Sequence, residues 1–220
     1  MSLAQAFPIT NNPKSEFVSE LIGLAEIDRA TINMVTWQRE QSESLIGATK
    51  KLSDRSPHLN VREEVTPDSV SKALTRHLGK TDNLEPLIND ISELTDAFCC
   101  LMGCDSVGLR LEVVDRASCP RFHVDQVVCR LITTYQGPAT QWLAHQDADR
   151  SKLGRGNGGL PDEQSGLMTS TDQIQSIASG DVALLKGEGW PGNQGAGIIH
   201  RSPTIPAGEQ RLVLTLDPIF

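Results

Sequence analysis

Val107-Gly108-Leu109-Arg110-Leu111-Glu112-Val113 alternates at a period of two, which puts its large apolar side chains on one face of an extended strand. The texture of the chain changes at this point. Downstream, Val127 to Tyr135 is rich in branched residues and stops at Gly137-Pro138. Gly180-Asp181 turns the chain into Val182-Ala183-Leu184-Leu185. Gly197-Ile198-Ile199-His200 and Leu212-Val213-Leu214-Thr215-Leu216 add two more short strands. Short strands divided by Gly/Pro turns, with no helices between them, indicate an antiparallel sandwich or barrel and not a parallel sheet.

Upstream the period is longer. Phe17, Leu21, Leu24, Ile27, Ile32, Met34, Val35 and Leu45 recur mostly three to four apart, which predicts helix over 15–50. A polar stretch around Pro57 interrupts it. Thr66-Pro67-Asp68 opens a second helix that Gly79 closes, and a third runs from Leu84 to about Met102 with Gly103 as its stop. The expected organisation is a disordered N-terminus over 1–14, a helical layer over 15–104 and a strand-rich core over 105–220. Ala144 to Ser165 is polar, glycine-rich and aperiodic, as functional or disordered loops of that length are.

The 220 residues carry 20 basic and 28 acidic side chains, a formal charge of −8, which argues against a broad nucleic-acid or anionic-membrane footprint. No apolar run approaches the ~20 residues of a membrane span, and the start lacks the basic and apolar regions of a signal peptide. With five cysteines, an odd number, the expected location is the cytoplasm.

The candidate chemistry lies in Arg121-Phe122-His123-Val124-Asp125. On a strand, His123 and Asp125 project to the same side and can share one cation. His200, at the end of an apolar strand, would complete a two-histidine-one-carboxylate triad of the kind that holds non-haem Fe(II) with open positions. A strand-end histidine hydrogen-bonded to a neighbouring carboxylate is the plainer reading of the same residues. His145-x-Asp147 repeats the pattern, but within the polar loop, where nothing would hold two ligands rigid. Arg211 shares one strand face with Val213 and Thr215. It either pairs with a carboxylate inside the barrel or points to water. Cys129, of the same strand parity as Asp125, could line the cavity and would favour zinc over iron. Trp142 could wall one side of it.

The His-x-Asp pair, the distal histidine and the arginine beyond it resemble the Fe(II)/2-oxoglutarate-dependent oxygenases. Gly180 to Gly187 is similar to the glycine-aspartate turn of cupin-type barrels. More closely, Cys119 to Asp125, Tyr135 to Leu143 and His200-Arg201-Ser202-Pro203 together resemble an uncharacterised bacterial family, domain of unknown function 1826, from about Val35 to Asp217. The resemblance implies an α+β fold, a double-stranded β-helix (a cupin or jelly-roll-like barrel) with N-terminal helices packed on one sheet. It implies His123, Asp125 and His200 as ligands of Fe(II), with Arg211 gripping the far carboxylate of 2-oxoglutarate. Arg130 and Arg201 are rival carboxylate partners, and Tyr135 could reach the same cavity, with Ser202 also at its edge. Many such enzymes carry serine or threonine two residues after that arginine; here Val213 stands there.

Three functions remain open on these residues. The first is an Fe(II)/2-oxoglutarate-type oxygenase acting on a small molecule or protein side chain. The second is a non-catalytic, cupin-like protein that holds zinc or another divalent ion for sensing, buffering or delivery. The third is an interaction protein whose N-terminal helices could mediate homodimerisation.

Overall fold

The computed structural model describes residues 12–79 and 82–220, and most of the expected disordered N-terminus lies outside them. Strands β1 (Lys14–Val18), β2 (Ile32–Trp37), β8 (Val182–Lys186), β5 (Cys129–Gln136), β10 (Arg211–Ile219), β4 (Ser106–Val114) and β3 (Asn60–Val65) form, in that spatial order, one large sheet. It is antiparallel except for the β1–β2 pair. A second sheet is small, with β6 (Gln141–Leu143) between β7 (Gln175–Ser176) and β9 (Ile199–Arg201). Strands from both sides of residue 105 thus share the large sheet.

The large sheet is buried on both faces, and β10 shows how the sequence achieves this. Leu212, Leu214 and Leu216 pack into one core with α1 (Glu43–Arg55), α2 (Val70–Leu78) and α3 (Glu85–Met102), through Leu52, Leu74, Leu87 and Phe98 among others. The helices use their apolar faces here. Ser42 caps α1 by accepting the Leu45 N–H at 3.2 Å, and Gly103 ends α3 in the left-handed region at φ +65°. On the opposite face, Met34, Ile132, Leu185 and Val213 meet Trp142, Ile177 and Ile198 from the small sheet and its flanks. Among the described residues no helix is long and apolar enough to cross a membrane.

The helix expected over 15–50 is not formed as such. Residues 14–18 and 32–37 are strands, Leu21–Asp28 is a 3-10 helix, and α1 starts at Glu43. Ile32 to Thr36 are buried at every position because β2 has core on both sides. A doubly buried strand loses the period-two signature, and its apolar run fits helical spacing equally well.

A second difference concerns strand parity. Gln126–Val128 form a bend between Asp125 and β5, so parity counted from Asp125 does not carry into the strand. Cys129, Leu131 and Tyr135 face the helices, and the Cys129 thiol, buried there, has its pKa pushed up to about 12. Neither Cys129 nor Tyr135 lines the candidate cavity. The Tyr135 hydroxyl instead donates to Asp90 Oδ2 at 2.6 Å, and Asp90 also receives both guanidinium arms of Arg39 at 2.6 and 3.0 Å. Arg39 Nε donates to the carbonyl of Gly180 at 2.9 Å. One buried carboxylate therefore ties α3 to β5, to the segment after β2 and to the turn before β8. Asp90→Ala strands the Arg39 charge, which should cost about 3–5 kcal/mol. Thermal unfolding followed by circular dichroism should then show Tm lower by roughly 6–20 °C.

Candidate metal centre

His123 and His200 face each other across an antiparallel bridge, each backbone N–H donating to the other's carbonyl at 3.0 Å. His200 belongs to β9; His123 adds one paired residue beyond that strand. The pairing brings their rings to 4.5 Å, tilted by 50°. Each ring is oriented by its own chain: Nδ1 of His123 donates to the carbonyl of Arg121 at 2.9 Å, and Nδ1 of His200 to that of Ile198 at 3.3 Å. Nδ1 of each ring is thus taken up by the backbone, and Nε2 is the nitrogen presented for ligation.

Asp125 supplies the third group. His123 Nε2 lies 3.7 Å from Asp125 Oδ1, and His200 Nε2 lies 3.4 Å from Oδ2. Ligand atoms from all three residues fall within 4.8 Å of one another, and this is the one such grouping among the described residues. Ligands about 2.0–2.2 Å from a common ion sit roughly 3 Å apart when adjacent, so small side-chain adjustments suffice. Burial disfavours the Asp125 charge, but His200, Arg130 and His123 outweigh it and hold the pKa at about 2. Burial, reinforced by His200, pulls the His123 pKa down. At neutral pH the site therefore offers a carboxylate and a neutral imidazole, the protonation states that ligation requires.

Beside the histidines is a cavity of about 100 Å³, lined also by Arg130, Thr140, Arg211 and Val213. That is well above the roughly 10–15 Å³ needed to admit a single water. The three arginines differ in their partners. Arg130 donates to Asp125 Oδ2 at 2.6 Å and grips Asp217 with two bonds of 2.7 Å. Arg201 donates to Glu163 and to Gln141, each at 2.8 Å, and its guanidinium lies 4.3 Å from the Phe122 ring centre. Both rivals for the co-substrate are thus engaged with protein groups. Arg211, only 3% exposed, donates to Thr140 Oγ1 at 2.7 Å and to Thr134 Oγ1 at 3.1 Å. It has no carboxylate partner among the described residues, and burial brings its pKa down to about 10.

Thr134 and Thr140 escape a reading that looks for a hydroxyl at 213. Thr134 shares the site-facing parity of Arg130, and that parity could have identified it. Arg201 and Ser202 line the cavity, where the Ser202 N–H donates to the Cys119 carbonyl at 2.9 Å. Trp142 does not line it: it lies opposite His200 in the β6–β9 register and packs into the core between the sheets. An apolar cavity of about 390 Å³ under Leu24, Phe98 and Leu101 is on the helix side, away from the histidines.

The segment 144–165 is ordered as a series of short 3-10 turns. Asp162, 4% exposed, fastens it to the site: its Oδ2 accepts the Phe122 N–H at 2.8 Å, and Arg121 and Arg201 approach it at 3.3 and 3.5 Å. Asp162→Ala would leave that N–H buried and unpaired, at a cost of about 1–3 kcal/mol. Limited trypsin digestion should then cut faster at Arg150, Lys152 and Arg155; cleavage at the wild-type rate would show that Asp162 does not fasten the segment.

No curated protein matches the sequence. Among solved structures, a rice dioxygenase for auxin oxidation superposes with TM-score 0.51 at 9% identity, covering 94% of this chain and 83% of that one. A Pseudomonas putida prolyl-4-hydroxylase gives TM-score 0.47 at 10% identity over 90% and 97%. HygX from Streptomyces hygroscopicus with iron bound gives 0.47 at 12% over 86% and 83%. At such identities the likeness to the rice enzyme is one of fold. Residues 19–217 match a single family, and the chain accordingly belongs to the family described as protein of unknown function DUF1826.

Proposed function

We propose that the protein is an oxygenase of the Fe(II)/2-oxoglutarate type, its two sheets forming a double-stranded β-helix. His123, Asp125 and His200 would hold the metal and Arg211 the co-substrate. The observation that carries the reading is the pairing of two features across one cavity. On one side are two imidazoles whose Nδ1 atoms bond to backbone carbonyls and whose Nε2 atoms are turned toward Asp125. On the other is a buried guanidinium that forms no ion pair among the described residues, Glu112 acting on it only at longer range. A divalent cation suits the first and a carboxylate the second, and 2-oxoglutarate is a ligand that can touch both. The fold shared with a dioxygenase supports the same reading.

When bound, Fe(II) and 2-oxoglutarate supply the activation of O₂, coupled to loss of CO₂ from the keto acid. The chain's residues do the positioning. Thr134 and Thr140 fix the Arg211 fork, so a carboxylate meets donors that need no reorganisation. Val213 and Ile132 line the cavity beside it and contribute no competing hydrogen bond.

His123→Ala and His200→Ala should weaken Fe(II) binding by more than the 10–100-fold typical of losing a mere outer-shell partner. Arg211→Met should leave Fe(II) affinity unchanged and raise the Kd for 2-oxoglutarate roughly 100-fold, the equivalent of about 3 kcal/mol of charge-assisted hydrogen bonding. Anaerobic titration that follows the visible charge-transfer band, with and without 2-oxoglutarate, reads both effects. Normal 2-oxoglutarate affinity in Arg211→Met would remove that role from Arg211. Absence of the band in wild type, with tight zinc binding, would favour a non-catalytic metal protein.

A further inference from the structure

A carboxylate can ligate a metal through one oxygen or two, and the second mode uses a coordination position that a co-substrate would otherwise take. In this protein the two oxygens of Asp125 differ in their hydrogen bonding. Each faces one histidine, Oδ1 lying 3.7 Å from His123 Nε2 and Oδ2 3.4 Å from His200 Nε2, but Oδ2 also accepts the Arg130 Nη1 donor at 2.6 Å, whereas among the described residues Oδ1 accepts no hydrogen bond. Arg130 is itself immobilised. Its Nε and Nη2 form the 2.7 Å pair with Asp217 on the neighbouring strand β10, and Arg110 of β4 donates to the far side of Asp217 at 3.2 Å. The row Arg130–Asp217–Arg110 crosses three adjacent strands, and the Arg130, Asp125 and Asp217 side chains are about 15% exposed.

We propose that Arg130, held by Asp217, is a positioning residue that reserves Asp125 Oδ2 and leaves Oδ1 as the single metal-binding oxygen, so that the metal keeps positions open for further ligands. The inference rests on the metal centre proposed above. Arg130 has a second effect of the same sign, because it neutralises Asp217, a carboxylate close enough to share a guanidinium with Asp125. Without it, Asp217 would keep only the 3.2 Å bond from Arg110.

Co(II) is the probe, since its visible absorption intensity reports coordination number and it tolerates air. The full-length chain is loaded as wild type, Arg130→Met, Arg130→Lys and the paired variant Arg130→Gln with Asp217→Asn. The paired variant removes both charges together and keeps a folded comparator if Arg130→Met alone unfolds. In Arg130→Met and in the pair, Co(II) affinity should stay within about threefold of wild type or tighten. The Co(II) band should change in intensity, and the Kd for 2-oxoglutarate on the Co(II) protein should rise at least tenfold. Arg130→Lys, which can keep one bond to Oδ2, should recover part of both. A wild-type band and wild-type 2-oxoglutarate affinity in the folded variants would overturn the proposal. So would loss of Co(II) binding in them, since Arg130 would then govern whether the metal binds and not how. Wild type that takes up Co(II) but no 2-oxoglutarate would sink the oxygenase reading alone, leaving the spectral comparison to decide the role of Arg130.

Discussion

Two backbone hydrogen bonds between His123 and His200 set the terms for the rest of the site. Such bonds are indifferent to side-chain identity, yet an antiparallel bridge places the residues it joins side by side on one face of a sheet. Two imidazoles so placed converge without a loop to carry them. The same stretch is tied to the large sheet on its other side, where the Asp125 carbonyl accepts the Glu188 N–H at 2.8 Å. Gly187 makes that approach possible, because a Cβ there would lie 2.0 Å from the Val127 carbonyl oxygen and 2.8 Å from that of Asp125. The ligands are thus held by rigid backbone, the condition under which a site keeps its geometry.

Charge placement then divides the labour among chemically identical side chains. Arg130 and Arg201 each have acidic partners, and those pairs stiffen Asp125 and the 144–165 segment respectively. Arg211 is met by two neutral hydroxyls, which orient a guanidinium without cancelling its charge. Burial alone would make such an arrangement unfavourable. Under the function proposed above, the Arg211 end of the cavity is where the anion would bind.

Much of this was legible in the sequence, and the failures have physical causes. The face shared by Arg211, Val213 and Thr215 follows from strict alternation in β10, and the structure keeps it. Spacing alone also nominates His123, Asp125 and His200, which the structure brings together. Tyr135 and Cys129 were projected across Gln126–Val128, and a bend there resets the parity. Residues 32–37 looked helical because a strand buried on both faces has no polar side to reveal its period. Asp217 and Glu163, which pair with Arg130 and Arg201, lie 87 and 38 residues away in sequence, and no local pattern announces them.

The Arg211 environment also links the protein's lifetime to its surroundings. In the folded chain this guanidinium is 3% exposed and forms no ion pair among the described residues, whereas the unfolded chain solvates it freely. An anion that settles against Arg211 therefore adds its whole binding free energy to the folded state, about 2.7 kcal/mol at a concentration one hundred times its dissociation constant. For a chain near the usual margin of stability, that is a large change in the population exposed to proteases. Under the proposed function, abundance of the folded protein would then follow the supply of that small acid, a dependence written into one strand by an arginine that forms no ion pair among the described residues.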